Sequence, residues 1–209
     1  MHYVAKQTAG FFLEQLADLL TNLEPSRRLG TDHIELYQMH HVGRNVSWDE
    51  LWNAFDVAQK QGKIGYVGSS NFAGRDLVKA QYEAKAHGAL GLVSEQHKYS
   101  LLCRLPELEV LPAAEELGVG VIPWSPLDGG ILGGNLNPQP GSRTAKQTER
   151  IEKLRPQLER FSRLCKELGE SEAMVALAWT WPIRPLPPRL SGRGRCSSSR
   201  KRCGWSTSS

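Results

Sequence analysis

Polar and aromatic side chains suited to hydrogen bonding and ring stacking follow three short apolar runs in this sequence. His40 ends the run LYQMH, Ser70 and Asn71 follow KIGYVGS, and Trp124 ends VIPW. A histidine can donate a hydrogen bond to a carbonyl oxygen, hydroxyl and amide groups can bind another amide, and an indole can stack on a flat heterocycle. Such residues at the carboxyl ends of parallel strands are typical of a binding site.

The positions of these residues depend on an alternation of strands and helices. Apolar runs alternate with amphipathic segments of about 10–15 residues, a pattern that predicts parallel strands joined by right-handed helical crossovers. The predicted strands are residues 33–40, 63–69, 90–99 and 119–124. The predicted helices are residues 10–29, interrupted near Pro25, then 47–61, 74–87, 107–117, 148–168 and a segment from Ser171.

Cap residues support several of these boundaries. Ser47 with Glu50 three residues later has the form of a helix N-terminus, and Gly62 and Gly118 are suited to end helices. Ser171 is a candidate N-cap for the final helix. The Gly-, Pro- and Asn-rich segment 128–144 is expected to be a mobile loop.

Composition restricts the functional classes. At 209 residues and 40% apolar content the chain can form one globular domain. It has no run of about 20 apolar residues, so we expect no membrane span, and the N-terminus lacks a secretory pattern, which favours the cytoplasm. The four cysteines, none in a CxxC pair, predict neither a disulfide framework nor a metal site.

A change in composition separates residues 1–181 from a basic tail, residues 182–209. The tail has six arginines, one lysine and no acid, so the overall charge of +4 leaves the body at −3. Its Pro, Ser and Arg content predicts disorder, and a solvated tail is favoured over nucleic-acid binding. Arg, Pro, Gly and Ser are also common in GC-rich DNA translated out of frame, which suggests a frameshift near residues 179–181.

Three longer motifs carry a resemblance to a known family. HIELYQMH, QGKIGYVGSSNFAG and VIPWSPLDGG, with ILGGN further on, resemble the aldo-keto reductases. The similarity covers about residues 26–179 and is strongest to the branch that includes voltage-gated potassium channel β-subunits and bacterial relatives. It implies a (β/α)8 TIM barrel that reduces aldehydes or ketones to alcohols with NADPH, acting on a small-molecule carbonyl substrate.

The resemblance also implies roles for individual residues. His40 would orient the substrate carbonyl, and Trp124 would stack on the nicotinamide. The residues expected to bind the nicotinamide carboxamide are Ser70, Asn71 and Gln96. The residues expected to lie in the loop beside the cofactor pyrophosphate are Ser125, Leu127 and Gly129.

Structural roles remain open for the same residues. His40 could be a partly buried strand histidine, and Ser70–Asn71 could be a turn or a helix cap. Gln96 could be a structural or solvent-exposed strand residue. The agreement of several motifs in the correct order favours the functional interpretation.

The sequence also departs from the family pattern. The family's catalytic Asp, Tyr and Lys precede the strand that ends in His40, and Tyr3 and Lys6 lie on no predicted strand. The family's G-x-R-x-x-x-Q segment, which binds the 2′-phosphate, has no match after Trp181. About 250 residues make a complete barrel, so the resemblance predicts strands four to seven of eight, with exposed edges that favour self-association.

Three functions remain open on this basis. The first is an NADPH-dependent reductase with a surviving half-site. The second is a catalytically inactive truncated fragment. The third is a regulatory module that binds nicotinamide nucleotides.

Overall fold

The computed structural model describes residues 4–7, 33–43, 46–138, 141 and 144–180, with only the backbone described for residues 4–7. Its centre is one sheet of five parallel strands in sequence order. The strands are β1 Val4–Gln7, β2 Ile34–Met39, β3 Ile64–Ser70, β4 Leu92–Lys98 and β5 Gly120–Trp124.

An α-helix follows each of the last four strands along the chain. The α-helices are α1 Trp48–Lys60, α2 Gly74–Ala86, α3 Val110–Leu117, α4 Thr148–Leu168 and α5 Glu172–Thr180. Ser47 caps α1 by accepting a hydrogen bond from the Glu50 backbone N–H at 3.1 Å, as predicted. Gly118 and Gly169 end α3 and α4 in the left-handed conformation that glycine adopts without strain. The β/α alternation is therefore confirmed over residues 34–124.

All four predicted strands are present, and the described sheet has a fifth strand that was not predicted. Residues 4–7 pair in parallel with β2, with Val4 opposite Leu36 and Gln7 opposite Met39. Lys6 therefore lies on a strand, contrary to the prediction. The four residues Val-Ala-Lys-Gln form no apolar run, so backbone pairing with β2, rather than side-chain pattern, defines β1.

Two further segments differ from prediction. The helix expected over residues 107–117 begins only at Val110, after a 3₁₀ turn Leu105–Leu108 in which Pro106 fixes the first turn. The loop expected over residues 128–144 contains the 3₁₀ helix Asp128–Gly133, and another, Thr144–Gln147, follows. The predicted helix 10–29 and the tail 182–209 lie outside the described residues, and their boundaries stay predictions.

The main core lies between the sheet and the first three helices. Its largest fully buried side chains include Trp52 and Phe55 of α1, which contact each other with ring centroids 5.7 Å apart, and Phe55 also contacts Tyr37 of β2 edge-on. The cluster takes buried residues from β2, β3, β4 and the first three helices, with Phe72 and Val119 beside them: Ile34, Tyr37, Met39, Leu51, Trp52, Phe55, Ala58, Ile64, Val67, Phe72, Leu77, Ala80, Ala84, Leu92, Val110, Ala114 and Val119.

A second, smaller core holds the C-terminal helices against the segment after β5. It consists of Ile131, Leu132, Ile151, Leu158 and Ala176. Within the described residues β1 pairs only with β2, and β5 only with β4. Self-association through these edges stays a prediction.

Candidate functional site

The strand register brings four of the polar and aromatic residues to one face of the sheet. Ser70 pairs with Gln96, and Lys98 pairs with Trp124. Side chains two apart along a strand point to the same face, so Gln96 and Lys98 share a face, and Ser70 and Trp124 share it with them. Three strands thus present these groups near their carboxyl ends, as the sequence predicted.

Asn71, the first residue after β3, connects the ends of the neighbouring strands. Its backbone N–H donates to the Gln96 carbonyl oxygen at 3.0 Å. Its side-chain Nδ2 donates to the carbonyl oxygen of His40 and to Ser70 Oγ, each at 3.0 Å. Its Oδ1 accepts a hydrogen bond from Trp124 Nε1, also at 3.0 Å. Four of the predicted site residues are therefore joined to Asn71.

Backbone conformation is unusual at the same strand ends. Among the described non-glycine residues, the positive φ angles belong to Asn71 at 60°, Ser125 at 55° and Asp128 at 49°. Asn and Asp tolerate this region better than most residues, whereas a serine there is uncommon. Such conformations cluster at functional sites, where the surrounding contacts hold them in place.

The segment after β5 forms a tight turn above an open cleft. Ser125 Oγ accepts a hydrogen bond from the Gly129 N–H at 3.1 Å, and Gln147 Nε2 donates to the Gly129 carbonyl oxygen at 3.2 Å. A cleft of about 390 Å³ lies here, lined by Ser125, Pro126, Leu127, Gly129, Gly130, Thr144 and Leu177. The φ of 70° at Gly129 favours glycine, and a Cβ there would displace the Gln147 amide.

A buried carboxylate holds this turn against two other elements. Asp128 is 2% exposed, and its oxygens lie 3.5 Å from Lys98 Nζ of β4 and 2.5 Å from Arg150 Nη2 of α4. Lys98 Nζ also lies 5.9 Å from the centre of the Trp124 ring, within the range of a cation–π contact. Asp128 therefore connects the turn to β4 and to α4.

A second buried acid lies behind the strand ends. Glu95 is fully buried on β4, and its Oε2 accepts a hydrogen bond from Ser69 Oγ at 2.5 Å. Its Oε1 accepts the Phe72 N–H at 3.1 Å and lies 2.9 Å from His97 Nδ1. Ser69 and Phe72 flank the Ser70–Asn71 segment, so the carboxylate fixes that segment from both sides.

His40 follows the last residue of β2 and is partly exposed. Its ring lies against that of His41, with centroids 4.3 Å apart and planes tilted by 36°. Because β2 ends at Met39, both histidines lie beyond the strand. The rule that neighbouring side chains of a strand point to opposite faces therefore does not apply to them. Gln38, the residue before Met39, is fully buried. Its Nε2 donates to the Ser69 carbonyl oxygen at 3.0 Å, and its Oε1 accepts no hydrogen bond from the residues that the structure describes.

Comparison with known proteins agrees with this geometry. The family model described as "Aldo/keto reductase family" matches residues 17–186, which is more than half of the chain. This chain belongs to the aldo/keto reductase family. The family has the (β/α)8 barrel, and the described residues form a parallel α/β part of it.

Individual aldo/keto reductases extend the comparison. An uncharacterized oxidoreductase of Bacillus subtilis, YrpG, is 64% identical over 154 residues, which cover 73% of this chain and 47% of that protein. A putative aryl-alcohol dehydrogenase of Schizosaccharomyces pombe is 32% identical over 160 residues, or 74% of this chain and 49% of the relative. A putative voltage-gated potassium channel subunit beta of the same yeast is 29% identical over 167 residues, covering 74% and 48%.

The chain spans about half the length of the curated relatives that it matches. The resemblance to the branch that includes channel β-subunits is confirmed.

Within the part of the chain that the structure describes, every helix is too short or too polar to span a bilayer. In the same part of the chain, no group of three His, Cys, Asp or Glu side chains could hold a metal ion.

Sequence reasoning missed four residues that support this candidate site: Glu95, Lys98, Asp128 and Arg150. No local pattern marks Glu95 as the fully buried acid, because five polar residues follow Leu92 and Val93 in the strand Leu92–Lys98. Asp128 lies between Leu127 and two glycines, and an aspartate in that context is common in turns whether or not it has a partner elsewhere. Arg150 lies 22 positions further on, and no local pattern connects the two residues.

A cluster at the end of β4 gives a measurable property of the fold. Tyr99 stacks on Trp179 of α5 with centroids 5.1 Å apart, and its hydroxyl donates to Glu107 at 2.9 Å. Arg104 binds the same carboxylate through two nitrogens, at 2.7 and 2.8 Å. Burial, and then the bond to Glu107, raise the pKa of Tyr99 to about 12.

We expect Tyr99 to remain protonated at a pH where free tyrosine ionises. Because the folded chain holds this proton more tightly than the unfolded chain, the bond stabilises the fold below pH 10.0 and ceases to do so as the pH rises towards 12. Absorbance at 295 nm against pH, compared between the parent and Tyr99→Phe, isolates this titration. A difference curve with its midpoint near 10 would contradict the prediction.

Proposed function

We propose that the chain forms the nicotinamide-binding part of an NADPH-dependent aldo/keto reductase, which reduces the carbonyl of a small aldehyde or ketone to an alcohol. The observation that carries the proposal is the meeting of His40, Ser70, Gln96 and Trp124 at neighbouring strand ends, with all four residues hydrogen-bonded to Asn71. The family and its oxidoreductase relatives support the reaction class.

The residues present are compatible with this cofactor. Ser70 Oγ accepts from Asn71 and, as a hydroxyl, can also donate to the carboxamide oxygen of a nicotinamide, although the side chain itself is fully buried. Gln96 lies beside Ser70 in the register, and the half-buried Trp124 offers an aromatic face. The glycine-rich turn and its cleft of about 390 Å³ suit the pyrophosphate, with Ser125, Leu127 and Gly129 as its lining.

NADPH supplies the hydride in this reaction when it is bound. The protein's part is to hold the substrate carbonyl and to stabilise the negative charge that develops on its oxygen. His40 would donate a hydrogen bond to that oxygen, and a donor of this kind typically contributes about 2.7–4 kcal/mol to the transition state. The half-buried ring of Trp124 would exclude water from one side of the reacting centre.

We expect Trp124→Ala to weaken NADPH binding by about tenfold or more, because stacking and ring burial are lost together. Isothermal titration calorimetry of NADPH into the purified chain measures the Kd directly. Tyr82→Ala is the matched control, since Tyr82 is 74% exposed on α2. Equal affinity of Trp124→Ala and the parent, or no binding by the parent, would contradict the proposal.

A second candidate function is cofactor binding without turnover, as in a regulatory module or an inactive fragment. It is favoured by two of the four described tyrosines, Tyr37 and Tyr99, because a reductase of this family uses a tyrosine as its general acid; the other two, Tyr66 and Tyr82, are exposed. Tyr37 is buried against Phe55, and the Tyr99 hydroxyl is bound to Glu107. Tyr3 lies outside the described residues, and the side chain of Lys6 is not described.

Turnover distinguishes the two candidates. NADPH oxidation at 340 nm with 4-nitrobenzaldehyde, run in parallel with NADH, reports both activity and cofactor preference. A rate that falls in His40→Ala without a change in the NADPH Kd supports the reductase. Binding with no oxidation above the protein-free rate supports the second candidate.

A further inference from the structure

We propose that the sheet holds a buried water-binding site between Gln38 of β2 and Ser94 of β4, above Gly68 of β3. Its ligand is one ordered water molecule, hydrogen-bonded to Gln38 Oε1 and to Ser94 Oγ. The inference is independent of the proposed function, because it concerns hydrogen bonds that the folded chain needs with or without a cofactor.

The strand register brings the two polar residues to either side of a glycine. Gln38 pairs with Gly68, Gly68 pairs with Ser94, and Ser94 pairs with Gly120. We call these four residues the polar row. A register irregularity between Val67 and Gly68 places a serine, rather than the preceding valine, opposite the glycine. Irregularities of this kind re-aim side chains and are common beside functional sites.

The polar side chains lie on the face of the sheet that carries the strand-end residues. A Cβ added to Gly68 would meet Ser94 Oγ and Leu36 Cδ1, so these two side chains lie on the face towards which residue 68 points. Gln38 is two residues after Leu36, and Ser70 is two residues after Gly68, so both share that face. The polar row therefore lies directly below the row that holds Ser70.

Two buried oxygen atoms of the polar row lack hydrogen-bond partners. Gln38 is 0% exposed and Ser94 is 6% exposed, and neither Gln38 Oε1 nor Ser94 Oγ is bound to a group that the structure describes. The amide orientation is fixed, because Nε2 donates to the Ser69 carbonyl oxygen at 3.0 Å and a carbonyl can only accept. Buried polar atoms nearly always have a protein or water partner, so both oxygens require one.

Water fits this pair of atoms. An amide oxygen only accepts and a hydroxyl both donates and accepts, so one water can serve both, as buried waters typically do for polar groups that lack partners. Glycine at two of the four positions of the polar row leaves room that larger side chains would fill.

A metal ion fits less well, because the polar row contains no carboxylate. The acid next to Ser94, Glu95, is bound to Ser69 Oγ and to the Phe72 N–H. Two neutral oxygens without a carboxylate make a poor set of ligands for a divalent cation.

A crystal structure of the parent chain that resolves ordered waters tests the site directly. We expect a density peak within hydrogen-bonding distance of both Gln38 Oε1 and Ser94 Oγ. An empty space between the two atoms overturns the inference. So does another group in that position, such as the ammonium of Lys6, which is the register partner of Gln38.

A double-mutant cycle tests the shared water in solution. Gln38→Met keeps an unbranched side chain and removes the amide, and Ser94→Ala removes only the hydroxyl. If one water serves both groups, the loss of the second partner costs less once the first is gone. We therefore expect the double variant to have a urea midpoint no lower than that of the less stable single variant.

The control cycle combines Ser94→Ala with Gln59→Met. Gln59 also donates to a strand carbonyl, that of Gly65 at 2.9 Å, but in an exposed hydrogen bond on α1. The midpoint shifts of this pair should add. Shifts that add in the same way for Gln38→Met and Ser94→Ala overturn the shared water. If Gln38→Met does not fold, the crystal structure of the parent decides the question.

Discussion

Replacing Glu95 with alanine is expected to lower the free energy of unfolding by about 3–5 kcal/mol, the range for breaking a buried, charged hydrogen-bond network. The change removes the acceptor of the Phe72 N–H and of Ser69 Oγ, and it leaves His97 without its carboxylate at 2.9 Å. The Phe72 N–H would then be buried without the acceptor that it has in the parent. Urea unfolding followed by circular dichroism at 222 nm measures the loss.

Two further variants show whether the carboxylate itself is responsible. Glu95→Gln keeps the shape and an acceptor for Phe72 but loses the charge, so we expect a smaller loss of about 1–2 kcal/mol. Glu116→Ala removes an exposed acid from α3 and should change stability by less than about 0.5 kcal/mol. If Glu95→Ala stays within 1 kcal/mol of the parent, the buried network does not support the strand ends as described.

The Glu95 network also separates what local pattern can predict from what it cannot. The β/α alternation over residues 34–124 was predictable, because strand and helix periods are local and the caps at Ser47 and Gly118 mark the boundaries. β1 was not, because a four-residue strand with two polar residues depends on its pairing with β2. The 3₁₀ turn Leu105–Leu108 was also not predicted, because the helical pattern of residues 107–117 did not show that Pro106 belongs to a separate turn before α3.

The candidate site shows the same division. Residue types at strand ends predicted His40, Ser70 and Trp124, since parallel strands bring their carboxyl ends to one edge. The connections among them were not predictable, because Asn71 and Trp124 are 53 positions apart and meet only through the register of β3, β4 and β5. Sequence reasoning thus identified the groups, and the register of the strands determines which of them contact one another.

We expect Phe55→Ala to destabilise the chain by about 3–5 kcal/mol, as large a loss as any single truncation in the main core. Phe55 is fully buried on α1, where it contacts Tyr37 at 5.9 Å and Trp52 at 5.7 Å between ring centroids. Its removal leaves a cavity beneath β2 that the packed neighbours can fill only partly. Thermal and urea unfolding, with Val57→Ala on the exposed side of the same helix as control, measure the difference.

The same variant separates stability from binding. Phe55 packs against Tyr37 and Trp52 in the main core, so the folded fraction of Phe55→Ala should bind NADPH with the parent Kd, and only the fraction of competent protein should fall. Asn71→Gly should do the reverse, with most of the protein folded and a weaker Kd. A Kd that weakens in Phe55→Ala after correction for the folded fraction would mean that α1 shapes the site through β2. In that case the strand ends and the core behind them act as one unit.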